Sequence, residues 1–108
     1  MATAYKVLGQ QNPATTTDTA LYTVPAATQA VISTIAICNT GAAITFRVRV
    51  VPSGASSATR QYLFYDMPIG ANQTVTLTAG LTLAAGDALW VYAGSATLAF
   101  QAFGQEIT

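Results

Sequence analysis

The fold of this chain is decided by the stretch AVISTIAICNTGAAITFRVRV, residues 30–50. In its second half, residues 44–50, apolar side chains at the even positions alternate with Thr45, Arg47 and Arg49 at the odd positions. This period of two predicts a β-strand with one buried and one solvated face. The first half, residues 31–38, is apolar at odd and even positions alike and rich in β-branched residues, which is typical of a strand covered on both faces.

A turn signal separates the two predicted strands. Asn39, Thr40 and Gly41 lie between them, and Asn and Gly adopt positive φ angles at low cost. The stretch therefore predicts a β-hairpin at the centre of the core.

Short strands are predicted on both sides of this hairpin. Alternating or β-branched segments occupy residues 4–11 (with Tyr5, Val7 and Leu8 as apolar anchors), 20–24, 61–67, 73–78, 88–93 and 96–103. Residues 52–60, PSGASSATR, are typical of a surface loop and are expected to carry the chain from one sheet to the other. Gly94 and Ser95 predict a hairpin turn before the last strand.

About eight short strands with turn signals every 8–12 residues are typical of an antiparallel sandwich or barrel. No segment has a helical repeat with capping residues. We therefore expect an all-β fold, an antiparallel β-sandwich of jelly-roll type, that forms a single domain over residues 1–108.

The charge content of this chain is unusually low. Only 7% of the 108 residues are charged, against about 25% in an average soluble domain. The formal net charge is zero, and net charges near zero favour association. Although 52% of the residues are hydrophobic, no window approaches the roughly 20 apolar residues of a membrane helix, so no membrane partner is expected. The composition predicts a subunit whose surface is largely covered in an assembly.

Most catalytic chemistry is excluded by the residue types. The chain has no His and one Cys, so Ser-His-Asp and Cys-His systems and zinc sites cannot be built. The single Cys38 is interpreted as a small buried hydrophobe in a strand. No phosphate-binding glycine motif occurs, and the sparse charges of both signs give no nucleic-acid footprint. We expect no catalytic, cofactor-binding or metal-binding residues, and no secretory signal peptide.

Carboxylates are the remaining possibility for catalysis. Asp18, Asp66, Asp87 and Glu106 are the whole supply. Asp87 is interpreted as a turn residue that bonds nearby backbone amides. Asp66, the only acid within a predicted strand, is interpreted as the ion-pair partner of one of the arginines. A hydrolase that uses Asp66 with Glu106 is a weaker alternative.

Aromatic residues and arginines are the best candidates for an oligomer or partner interface. The candidates are Arg47, Arg49, Tyr62, Phe64, Tyr65, Trp90 and Tyr92. Alternation must turn some of the aromatics into the core, and the sequence leaves open which ones. At a subunit boundary the two arginines could bridge to Asp66 or Glu106 of a neighbour.

Four segments carry a resemblance to a known family. They are LYTVPAAT (residues 21–28), VISTIAICNT (31–40), ITFRVRVVPSGA (44–55) and YLFYDMPIGANQTVTLTAGLTLAAGDALWVYAGSATLAF (62–100). Together they resemble small virion structural proteins of tailed bacteriophages. The resemblance implies a β-sandwich that decorates the capsid or belongs to the neck, tail or fibre, often as a trimer, and it brings no catalytic residues with it.

Composition and resemblance together lead to one expected function. We expect a non-enzymatic virion protein, an oligomeric capsid decoration (cement) protein assembled in the host cytoplasm. Its partners would be its own copies in a homotrimer and other virion proteins such as the major capsid protein. The alternatives are an accessory protein of the neck, tail or fibre, or a carbohydrate-binding adhesin head that stacks sugars on Trp90 and the tyrosines.

Overall fold

The computed structural model describes residues 2–78 and 80–108, which form nine β-strands and one short 3₁₀ turn. The strands are β1 (Thr3–Gln11), β2 (Thr19–Thr23), β3 (Gln29–Asn39), β4 (Ile44–Val51), β5 (Tyr62–Ile69), β6 (Thr74–Leu77), β7 (Leu81–Leu83), β8 (Ala88–Ala93) and β9 (Leu98–Ile107), and the 3₁₀ turn spans Thr59–Gln61. No helix among these residues is long and apolar enough to span a bilayer.

The strands form two antiparallel sheets. The first sheet has the order β1-β9-β3-β6, with β7 also paired to β3, and the second has the order β2-β8-β4-β5. β6 and β7 lie against successive parts of β3, residues 35–38 and 30–32. The chain changes sheet at almost every connection, which gives the two interleaved Greek keys of a jelly roll. The predicted all-β sandwich of jelly-roll type is confirmed.

The predicted central hairpin is wrong. β3 pairs with β9, β6 and β7, whereas β4 pairs with β5 and β8 in the opposite sheet. The buried Asn39 holds the corner between them, because its amide nitrogen donates to the carbonyls of Ala42 (2.9 Å) and Gly70 (3.0 Å). The crossing lets the apolar sides of β3 and β4, with Ile37 and Phe46 both fully buried, face each other across the core.

Two predictions about whether a connection changes sheet are also wrong. Residues 52–61 do not change sheet but join β4 to β5, which are neighbours in the second sheet. The buried Gln61 folds this loop on itself, since its side chain accepts from the Ala58 amide and donates to the Ser56 carbonyl. Conversely, Gly94 and Ser95 carry the chain from β8 to β9 in the other sheet. β9 also continues past Phe103 to Ile107, because it pairs with β3 along its whole length and with β1 from Phe100 onward.

The core lies between the two sheets. It is formed by the buried side chains of the inward positions, chiefly Ile32, Ile35, Ile37, Phe46, Val48, Leu89, Val91, Leu98 and Phe100. The Phe46 ring makes edge-to-face contacts with Phe64 and Phe100, with ring centres 5.4 and 6.2 Å apart. The inward positions of β4 are those that the alternation predicted, whereas on β8 and β9 the structure decides which of the two alternating sets turns inward.

The outer side of β3 is less covered than predicted. Its inward residues are buried, but Val31, Ala36 and Cys38 on the other side are only half-buried, and Ser33 is exposed. None of the described strands packs on this face of the first sheet. The expectation that β3 is covered on both faces, and that Cys38 is buried, is therefore wrong for the single chain.

Candidate functional site

The second sheet presents a surface that we call the cation–aromatic face. Its members project outward from β4, β5 and β8, and they are Arg47, Arg49, Tyr62, Tyr65, Asp66, Trp90 and Tyr92. The register of the sheet places Arg47 directly opposite Tyr92, and Arg49 opposite Trp90, on the neighbouring strands β4 and β8. Cross-strand neighbours on one face are close enough for their side chains to touch.

Arg47 is held by two tyrosines and one carboxylate. Its guanidinium carbon lies 4.3 Å from the ring centre of Tyr65 and 4.4 Å from that of Tyr92, within the range of a cation–π interaction. Its Nε donates to Oδ1 of Asp66 at 2.7 Å. The hydrogen bond to Asp66 raises the pKa of Arg47 above its usual value. The charge of Arg47 is thus satisfied within its own chain.

A bulge in β5 brings the partners of Arg47 together. Met67 pairs with Phe46, but Phe64 pairs with Val48. Tyr65 and Asp66 therefore both stand against the single residue Arg47. Asp66 has a φ of +50°, a left-handed conformation that bulges accommodate. Without this extra residue the two side chains would point to opposite faces.

Arg49 is almost completely buried and ties loops to β4. Its Nη1 donates to Ser57 Oγ at 2.7 Å, and its Nη2 lies 3.4 Å from a carboxylate oxygen of Asp18. Its guanidinium carbon lies 5.4 Å from the ring centre of Trp90. Arg49 therefore fixes residues 52–61 and the connector before β2, which is a structural role.

The structure places six of the seven candidate interface residues on the cation–aromatic face, and the seventh is Phe64. Phe64 turns inward against Phe46 instead of joining the others. Asp66 is an ion-pair partner, as predicted, and its partner is Arg47. Asp66 and Glu106 lie in opposite sheets, so these two carboxylates do not form a pair.

The outer side of the first sheet carries a second surface, which sequence reasoning missed. A groove of about 620 Å³ runs across β1, β9 and β3 and is lined largely by apolar side chains. Its apolar walls are Tyr5, Val7, Val31 and Phe103. Tyr5 is 81% and Val7 is 48% exposed. The signal in the sequence was the pair of apolar residues Tyr5 and Val7, which by itself indicates only the anchors of a strand.

This surface is almost free of charge, and we call it the uncharged face. Beyond the groove, its outward residues are small or neutral, namely Ala36, Cys38, Thr74, Thr76, Thr82, Ala99 and Gln101. The charged residues lie elsewhere: Arg47, Arg49 and Asp66 on the second sheet, Asp18, Arg60 and Asp87 in connections, and Lys6 and Glu106 as an ion pair at the groove edge. The few charged residues of the chain therefore lie away from the uncharged face.

A polar cluster closes the sandwich beside this face. The Tyr22 hydroxyl donates to Glu106 Oε2 at 2.5 Å, and Lys6 Nζ lies 2.7 Å from Glu106 Oε1. The three residues belong to β2, β9 and β1 and so link the two sheets. Burial, reinforced by Glu106, raises the pKa of Tyr22 well above its usual value. The hydrogen bonds from Lys6 and Tyr22 lower the pKa of Glu106 below 4.5.

We expect this cluster to make the stability of the fold depend on pH at both extremes. The folded-state pKa of Glu106 is depressed, so its stabilisation is present above about pH 4.5 and is lost as the pH falls through the folded value. The folded-state pKa of Tyr22 is raised, so its stabilisation is complete below about pH 10 and is lost at higher pH. Hydrogen bonds to charged groups contribute about 1.5–3 kcal/mol each. Urea unfolding between pH 3 and 11 measures the free energy of unfolding along both the acid limb and the alkaline limb of this pH dependence.

Two variants separate the limbs. Glu106→Gln should flatten the acid limb, and Tyr22→Phe should remove the alkaline limb, each with a lower free energy of unfolding at pH 7. Acid and alkaline limbs that persist unchanged in both variants would contradict this assignment.

A metal centre finds no support in the geometry. No group of three or more His, Cys, Asp or Glu residues comes together among residues 2–78 and 80–108.

The strand order defines this chain as a small jelly-roll β-sandwich. Its two outer faces have contrasting surfaces, and a polar cluster links the two sheets. No protein-family model, curated protein or solved structure matches the chain.

Proposed function

We propose that this protein is a non-enzymatic structural subunit of a bacteriophage virion, an oligomeric capsid decoration (cement) protein. The observation that carries the proposal is the uncharged face with its exposed apolar groove. Isolated soluble domains rarely leave such a face open, and large exposed apolar patches mark interaction sites. Its partners are its own copies, in the homotrimer that the family resemblance implies, and the major capsid protein of the shell.

The proposed mechanism is passive. Burial of apolar surface contributes about 25 cal/mol per Å², and on a symmetric particle the same contact is repeated many times. Tyr5, Val7, Val31 and Phe103 would supply this area. The arginines would not contribute intermolecular ion pairs, since Arg47 and Arg49 are bonded to acids of their own chain. The rigid sandwich would then bridge neighbouring subunits without a conformational change.

An image reconstruction of the intact particle tests the proposal directly. The expected result is density for this jelly roll on the outside of the shell, with the uncharged face against the shell or against another copy. A purified protein that stays monomeric and never joins a particle would contradict it.

The second candidate is an accessory protein of the neck, tail or fibre that acts as a carbohydrate-binding head. The observation in its favour is the row of outward rings on the cation–aromatic face, where Tyr65 is 58% exposed. The guanidinium of Arg47 already lies over the rings of Tyr65 and Tyr92, so less aromatic surface is left on which a sugar could stack. A glycan array with the assembled protein distinguishes the two functions, because a cement protein should bind no glycan.

A further inference from the structure

We propose that the N-terminal half of β1 pairs in an antiparallel manner with β1 of a second copy, about a two-fold axis at Tyr5. This contact would join the first sheets of two molecules into one continuous sheet. It is a property of the free protein, and it does not depend on the proposed place in a virion.

Among residues 2–78 and 80–108, no strand pairs with the open edge of β1. Ala2 and Thr108 exchange both of their backbone hydrogen bonds, at 2.9 and 2.8 Å. In an antiparallel ladder the bonded pairs alternate with non-bonded pairs. The pairs of Thr3, Tyr5 and Val7 with β9 are therefore the non-bonded ones. The N–H and C=O groups of these three residues point to the open edge.

The open edge of β1 is longer and more regular than the other sheet edges. Natural edge strands are kept short or are blunted by bulges, proline or charge. β2 has five residues and a bulge, and β6 and β7 have four and three residues. β5 contains Pro68 and two register shifts. β1 has nine residues, no proline and a regular register through Val7.

Only the far end of β1 is covered by its own chain. At Gly9 the strand comes so close to β2 that a Cβ atom would collide with the Leu21 carbonyl. This approach occurs after the bulge between Val7 and Gly9. The open segment is thus residues 3–7, and a single partner strand of the same length fits it.

This segment is complementary to itself. With a two-fold axis at Tyr5, Thr3 faces Val7 of the second copy, and the two Tyr5 residues face each other. Thr3, Tyr5 and Val7 then form hydrogen-bonded pairs with the second copy, and these pairs use the backbone N–H and C=O groups at the open edge. Lys6, the one charge in the segment, faces Ala4 of the second copy, so no like charges oppose each other. Lys6 is also neutralised by Glu106 in its own chain.

Tyr5, at the proposed axis, is the most exposed of the large hydrophobic side chains in the described part of the chain. Tyr5 is 81% exposed and Val7 48%, and both lie on the uncharged face. Pairing would place the two Tyr5 side chains beside each other and would continue this face across the axis. A two-fold contact uses the same patch on both copies, whereas a trimer closes through two different patches. The β1 contact is therefore separate from the contact that would close the proposed trimer.

Cysteine cross-linking of the purified chain tests the pairing and its register. Cys38→Ala serves as the background, so that the introduced cysteine is the only one. Facing residues in a bonded antiparallel pair have Cα atoms about 5.5 Å apart, within the roughly 4.4–6.8 Å range of disulfides. Under mild oxidation, Tyr5→Cys should therefore form a covalent dimer in high yield.

The matched controls are Thr3→Cys and Val7→Cys. Each lies four residues from its own copy across the axis, about 13 Å along the strand, so each alone should form no covalent dimer. A mixture of the two should cross-link, because Thr3 faces Val7 of the second copy. Circular dichroism confirms that each variant is folded. A Tyr5→Cys variant that forms no covalent dimer, or equal cross-linking of Thr3→Cys by itself, would overturn the proposal.

Discussion

Replacement of Val31 by glutamate is expected to lower the amount of this protein on purified particles at least tenfold, without loss of the fold. Val31 is half-buried on β3 and lines the apolar groove of the uncharged face. In the free protein the new carboxylate would reach water, so folding should be little affected. Against a partner surface it would be buried without a counter-charge, which costs several kcal/mol. About 1.4 kcal/mol already corresponds to a tenfold change in binding.

Particles produced with each variant, purified and analysed by quantitative mass spectrometry, give the occupancy relative to the major capsid protein. Leu63→Glu is the matched control, because Leu63 is an exposed aliphatic residue (41%) on the second sheet. This variant should keep normal occupancy. Full occupancy of Val31→Glu would remove the uncharged face from the proposed interface, and an equal loss in both variants would show that the effect is not specific to this face.

Phe46→Ala is expected to destabilise the fold by about 3–5 kcal/mol, the range for truncation of a buried phenylalanine. Phe46 is fully buried between the sheets and contacts Phe64 and Phe100, one ring from each sheet. Removing it would leave a cavity at the point where the two sheets meet. Because small domains have a total stability of about 5–15 kcal/mol, the variant should be close to unfolding at 37 °C.

Urea unfolding monitored by tryptophan fluorescence measures the loss of stability. Met67 is the control, since it is the cross-strand neighbour of Phe46 but is 38% exposed. Met67→Ala should change the free energy of unfolding by much less than Phe46→Ala. A loss below 1 kcal/mol for Phe46→Ala would contradict the packing described above.

The candidate surfaces were only partly predictable from the sequence. Alternation correctly placed Arg47, Arg49, Trp90 and Tyr92 on one side of their strands, because a strand turns successive side chains to opposite faces. It left open which aromatic side chains turn inward, and the bulge in β5 decides that Phe64 does. It also missed the uncharged face, because an apolar outward residue such as Val31 has the same sequence pattern as a core residue.

By itself, the sequence determined the fold class, the approximate strands and most of the inward side chains, because these depend on local alternation and turn residues. Only the tertiary structure decided which strands are neighbours. The period of two in β3 and β4 specifies an apolar side for each strand but not whether those sides lie in one sheet or face each other across the core. Gly104 illustrates the same limit, since a Cβ there would collide with the Val31 carbonyl of β3. That contact joins residues far apart in the chain, and no local pattern contains it.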